Sequence, residues 1–112
     1  MEITSQDGNG VRVVTVQDAR IDAAVAIRFK DRMREVTADT SGRVILDLAA
    51  VDFIDSSGLG AIVAAMKQLG GTRRLELSGL SPGVDRVFRL TRMDSVFVIH
   101  DSAEAALHAG PR

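Results

Sequence analysis

Six consecutive residues, Asp55-Ser56-Ser57-Gly58-Leu59-Gly60, bring three polar side chains and two glycines together just ahead of an apolar run. Asp and Ser in that place are ordinary helix N-capping residues, because their side-chain oxygens accept from the orphan N–H groups of the first turn. One cap needs one such residue, and here there are three. Each glycine costs a helix roughly 1 kcal/mol relative to Ala, so Gly58 and Gly60 predict the close approach of another backbone or another molecule. A serine hydroxyl at a helix N-terminus is also well placed to carry phosphate, since the unpaired N–H groups and the positive dipole end stabilise a dianion there. Phosphorylation adds about −1.5 to −2 charges. Beside Asp55 and Asp22 that charge would repel a partner surface built around the neutral hydroxyl. On residue types alone the segment is a helix start with the makings of a switch, and either Ser56 or Ser57 could be the acceptor.

The elements that must position this segment follow from periodicity. Gly8-Asn9-Gly10 separates a short run around Ile3 from the β-branched run Val11–Val16, a hairpin pattern because Asn and Gly tolerate positive φ. Ile21, Val25, Phe29, Met33 and Val36 then recur every three or four residues, as on one face of a helix. Asp22 stands at the expected N-cap, and Thr40-Ser41-Gly42 at the expected stop. Arg43–Leu48 is a nearly continuous apolar run that suits a doubly covered strand. After a loop at Ala49–Asp55, a second helix carries Leu59, Ile62, Val63, Met66 and Leu69, up to Gly70-Gly71. Arg74–Ser78 alternates as a strand, Ser81-Pro82 opens a third helix, Val96–Ile99 forms a last strand, and a closing helix starts at Ser102.

The order β-β-α-β-α-β-α-β-α predicts an α/β domain: a mixed, mostly parallel sheet, its first strand antiparallel, packed with about four helices. In parallel βαβ units each strand-to-helix loop emerges at the carboxyl edge of the sheet. Asp22, the Asp55–Ser57 segment, and Ser78 with Ser81 are therefore expected on one surface. The Asn9 tip and the Gly70-Gly71 turn are expected at the opposite edge.

Composition narrows the function classes. The chain has 112 residues, one domain's worth, and its 46% apolar content with four Phe and no Trp or Tyr requires an aliphatic core. The absence of cysteine excludes disulfides, thiolate metal sites and a cysteine nucleophile. No run approaches the roughly 18 apolar residues of a membrane span, and Met1–Ser5 lacks a signal-peptide pattern. With 14 basic and 15 acidic residues interspersed, nothing draws the chain to nucleic acid or to a membrane surface. A cytoplasmic domain that recognises partners by local shape is expected, without a cofactor. His100 and His108 have no neighbouring ligands and are expected at the surface, not at a metal.

Val51-Asp52-Phe53-Ile54-Asp55-Ser56-Ser57-Gly58-Leu59-Gly60 resembles the signature of bacterial anti-sigma factor antagonists, the STAS-domain proteins. The resemblance spans about residues 2–108, with the hairpin, the Asp22 helix start and Leu80-Ser81-Pro82 in matching places. It implies a single STAS domain over 1–112. It also implies that the first serine after the aspartate, Ser56, is the phosphoacceptor, and that Asp22 takes part in the encounter with the kinase. The implied partners are an anti-sigma factor that is itself a serine kinase of the histidine-kinase-like ATPase type, and a serine phosphatase. The unphosphorylated antagonist binds that kinase and releases sigma, so no enzyme activity is implied. Where the family often has a glycine shortly before the aspartate, this chain reads Asp18-Ala19-Arg20-Ile21.

The remaining residues are weighed against this reading. Ser57 is expected to bond the backbone of the first turn. Asp55, Gly58, Leu59 and Ser81 are expected in partner contact, Leu59 only in part. Arg86, Arg89 and Arg92 form a basic row that suits a solvated face, and Arg73-Arg74 flanks a strand. Two other functions remain in view. One is a scaffold or transporter-associated STAS domain that works without phosphorylation. The other is a serine hydrolase, for which Gly-x-Ser-x-Gly is absent (residue 54 is Ile) and only His100 or His108 could serve as base.

Overall fold

Asn9 and Gly10 both take positive φ, 54° and 74°, as a two-residue hairpin turn between right-twisted strands requires. They join β1 (Ile3–Gly8) to β2 (Val11–Val16), antiparallel from Ile3↔Val16 to Gly8↔Val11. The computed structural model describes residues 1–40, 42–70 and 73–109. The chain continues through β3 (Arg20–Ile21), α1 (Ala26–Thr37), β4 (Arg43–Asp47), β5 (Phe53–Ile54), α2 (Ser56–Leu69), β6 (Arg74–Ser78), α3 (Pro82–Leu90), a single 3-10 turn at Met93–Ser95, β7 (Ile99–His100) and α4 (Ala103–His108). Five strands make one sheet in the order β1-β2-β4-β6-β7, parallel after the first pair. This is the expected α/β architecture.

Alternation along the strands divides the molecule into two cores. Val14, Leu46 and Leu77 stand side by side in register and face Phe29, Met33, Ile62, Ala65, Val84 and Phe88 of α1, α2 and α3 in the main core. The other face holds a smaller cluster of Val11, Ile45 and Ala106 under α4. On that face Glu76 is almost wholly buried. Arg43 donates to both of its oxygens, at 2.8 and 2.7 Å, and to Ala106 O. His100 Nε2 lies 2.7 Å from Glu76 Oε1.

His100 is therefore not the surface residue its isolation in the sequence suggests: it is buried against Glu76. Burial pushes the Glu76 carboxyl up, but the hydrogen bonds and charges of Arg43 and His100 outweigh that and hold it below its ordinary value.

Other boundaries moved for identifiable reasons. Ile21 does not belong to the helical stripe; it lies in β3, and α1 begins only at Ala26. α1 also ends early, at Thr37, with Ala38 N bonding back to Glu35 O and Thr40 N to Thr37 O; Ser41 of the expected stop lies outside the described residues. Gly70, at φ 48°, does end α2, while Gly71 lies outside the described residues. Val96–Ile99 is not a continuous strand. Val96 N and Phe97 N bond to Met93 O, so the strand shrinks to Ile99 and His100, with Val98 O accepting from Leu77 N just ahead of it, and Phe97 instead packs edge-on against Phe88 at 5.8 Å. No helix among the described residues is long and apolar enough to cross a membrane.

Candidate functional site

A two-strand parallel ribbon builds the site. β3 and β5 pair Arg20 with Phe53 and Ile21 with Ile54. Both isoleucines are buried, so the outer side chains, Arg20 and Phe53, face solvent. The backbone continues the pairing on either side: Asp52 N and Phe53 N donate to Ala19 O at 2.7 and 3.2 Å, and Asp55 N to Ile21 O at 3.4 Å. Positive φ among the described residues occurs only at Asn9, Gly10, Gly70, Gly79 and Arg92. The Asp18–Ile21 stretch thus takes ordinary backbone angles and needs no glycine.

Asp55 clamps the two loops. Its Oδ1 accepts from Gly58 N at 2.8 Å, capping α2, and its Oδ2 accepts from Ala23 N at 3.2 Å. A cap of this type contributes about 1 kcal/mol. Gly58 shows why the segment carries glycine: a Cβ there would stand 1.9 Å from Ile21 O. Gly60 differs, since a Cβ on it would meet nothing within 4 Å. The expected close approach is a backbone at Gly58 and open space at Gly60.

Asp22 does not cap α1. Its Oδ1 accepts from Ala24 N at 3.1 Å and Val25 N bonds to Asp22 O, forming one separate turn ahead of the helix. Ser56 is the first residue of α2 and is exposed, with no hydrogen bond to its hydroxyl among the described residues. Ser57 is also exposed and makes no side-chain bond to the first turn; that role falls to Asp55. Leu59 is half-buried and packs on the main core. Ser81 stands at the N-cap of α3, yet its hydroxyl donates to Val51 O at 3.0 Å. It ties the third loop to the second. The expected gathering of Asp22, Asp55, Ser56 and Ser81 at one edge is therefore present through the Asp55–Ala23 and Ser81–Val51 bonds. Ser78 does not join them, because it is fully buried in β6 with an unpartnered hydroxyl.

Two neighbours escaped sequence reasoning. The Arg20 guanidinium lies 4.3 Å over the Phe53 ring, and its Nε donates to Asp22 Oδ2 at 3.1 Å. The signal was present only as a pair: neither residue stands out until the β3–β5 register is known. The basic row is broken, since Arg92 lies past the end of α3 at φ 60°, and partly neutralised, as Arg89 pairs with Asp85 and Asp94. His100 is engaged by Glu76 on the far side of the sheet and offers Ser56 no base. Among the described residues no cluster of His, Asp or Glu could hold a metal.

Comparison with known proteins agrees with this architecture. A family model described as the STAS domain matches residues 2–106. The anti-sigma-B factor antagonist of Listeria monocytogenes is 33% identical over 88% of this chain and 86% of its own. The anti-sigma-F factor antagonist RsfB of Mycobacterium tuberculosis is 28% identical over 94% of this chain and 85% of its own. A crystal structure of an anti-sigma factor antagonist from Mycobacterium paratuberculosis superposes with a TM-score of 0.86 at 30% identity, covering 96% of this chain and 92% of that one. This chain belongs to the STAS domain family, among relatives named as anti-sigma factor antagonists.

Proposed function

We propose that this protein is a cytoplasmic anti-sigma factor antagonist whose affinity for its partner is set by phosphorylation of Ser56. The observation that carries the reading is the exposed, unbonded Ser56 hydroxyl on the first residue of α2, beside an Asp55 carboxylate that fixes its loop against that of Asp22. The partner is an anti-sigma factor that is also a serine kinase of the histidine-kinase-like ATPase type. It transfers the terminal phosphoryl group of ATP to Ser56 Oγ, while the hydroxyl proton leaves to a base on the kinase. Unmodified protein occupies the kinase and frees sigma. The phosphoserine dianion, next to Asp22 and Asp55, repels the surface that met the neutral hydroxyl. A serine phosphatase resets the cycle. Asp22, Asp55, Ser57, Gly58, Leu59 and Ser81 form or support the contact surface.

The test incubates the protein with ATP and each histidine-kinase-like serine kinase encoded in the same genome, and locates phosphate by mass spectrometry. One kinase is expected to modify Ser56 and no other residue. Ser56→Ala should bind that kinase as unmodified protein does and stay unphosphorylated. Ser56→Asp should bind on the order of tenfold more weakly or worse. Phosphate on no residue, with Ser56→Ala and Ser56→Asp binding alike, would sink the proposal.

A further inference from the structure

We propose that Arg20, braced on Phe53, is a specificity residue of the same surface and accepts a carboxylate of the partner kinase. The inference rests on the reading of that edge as the kinase-binding surface and adds a contact of opposite sign to the aspartates around it.

The charged groups of the edge differ in what they have left to offer. Asp22 has both oxygens engaged, by Ala24 N and by Arg20 Nε. Asp55 likewise holds Gly58 N and Ala23 N, and Asp18 accepts from Glu2 N at 2.8 Å. Arg20 uses only Nε. Its two terminal nitrogens have no hydrogen-bond partner among the described residues, and its side chain is 60% exposed. Arg20 lines a shallow depression of about 320 Å³ together with Asp18, Asp22 and Val25, and is the only cation among its lining residues.

Such a guanidinium is ready for recognition. Long arginines ordinarily give up rotamer freedom on binding, but this one is already held from two directions, by the Asp22 ion pair and by the Phe53 ring. Its planar terminal fork matches a carboxylate in two parallel hydrogen bonds, which a lysine cannot reproduce. Phe53, itself 41% exposed, supplies apolar area beside the charge, and Arg is among the residue types enriched at interface hot spots. A single acidic residue of the kinase set opposite Arg20 would fix register on the edge and reject kinases lacking it.

The experiment measures the dissociation constant of the kinase that modifies Ser56 for Arg20→Ala, Arg20→Glu and Arg20→Lys, each also melted thermally to separate lost fold from lost contact. Arg20→Ala should weaken binding about tenfold and Arg20→Glu about a hundredfold, and Arg20→Lys should restore only part. In an Asp22→Asn background Arg20→Ala should still cost about tenfold. Arg20→Ala that is silent in that background would reduce Arg20 to a holder of Asp22 and overturn the proposal. Equal losses in Arg20→Glu and Arg20→Ala would overturn the carboxylate. Wild-type affinity in all Arg20 variants, with Ser56→Asp still impaired, would sink this inference and leave the Ser56 reading standing. Wild-type affinity in Ser56→Asp as well would sink both.

Discussion

Asp55 and Glu76 are both carboxylates that tie separate segments together, one at the carboxyl edge of the sheet and the other beneath α4. Asp55 binds two backbone N–H groups, and the neighbouring Ser56 and Ser57 are exposed, their hydroxyls without a hydrogen bond among the described residues. Glu76 binds two side chains, Arg43 and His100, and Arg43 passes the connection on to Ala106 O. The difference follows from solvation. In the interior, a polar atom left without a partner costs as much as a lost hydrogen bond or more, so that cluster closes on itself. At the edge water satisfies whatever the backbone does not, and hydroxyls can stay open for a partner. Polar side chains thus hold the fold in one place and, at Ser56 and Ser57, remain available in the other.

The largest effect should come from breaking the closed cluster. Glu76→Ala leaves the Arg43 charge and the His100 ring buried without their acceptor, and is expected to cost about 4 kcal/mol in urea unfolding. A loss below about 1 kcal/mol would mean that water reaches Arg43. The same carboxyl sets an acid response. Its folded pKa lies below the ordinary 4.5, so its contribution is complete above that value and is lost as the pH falls through the lower folded pKa. Wild type should lose stability more steeply below pH 4.5 than Glu76→Gln, which has no proton to take up there. Parallel acid limbs in the two proteins would count against the assignment.

Gly58→Ala comes next. The added methyl collides with the backbone oxygen of Ile21, which cannot swing aside as a side chain tip could. A cost of about 3 kcal/mol is expected, and it should spread to the site, since the Asp55 bond to Ala23 depends on the same loop contact. Phosphorylation of Ser56 should therefore slow even at temperatures where the variant stays folded. Normal rates of modification in a folded Gly58→Ala protein would show that the two loops need not be locked together.

How much of this was legible in the sequence depended on range. The Asn9-Gly10 turn, the Asp55 cap and the Leu59-to-Leu69 stripe are local patterns, written within a few residues, and the structure has them. The β3–β5 ribbon is two residues long on each side, pairs segments over thirty residues apart in sequence, and left no periodic trace. Missing it displaced Ile21 into a helix, made Asp22 an N-cap, and hid Arg20 and Phe53. His100 looked solitary because its partner, Glu76, lies on another strand. Ser78 looked like an edge residue because the strand end could not be placed within a residue. The choice of Ser56 over Ser57 is not a matter of local physics at all: both are exposed and unbonded, and only the family pattern separates them.

The smallest effects return to the edge and ask whether its openness is functional. Asp55→Ala removes the α2 cap and the tie to Ala23, and should cost about 1 kcal/mol, far less than its buried counterpart. Gly60→Ala should act in the opposite direction. Its Cβ would meet nothing, so the fold should gain up to about 1 kcal/mol from helix propensity, read as a higher urea midpoint. A glycine that weakens its own helix with no contact to justify it within the chain suggests a constraint from outside. If the kinase lies against that face, Gly60→Ala should bind more weakly even as it melts later. If affinity and stability rise together, or affinity is unchanged, Gly60 is no part of the contact, and the open surface ends at Leu59.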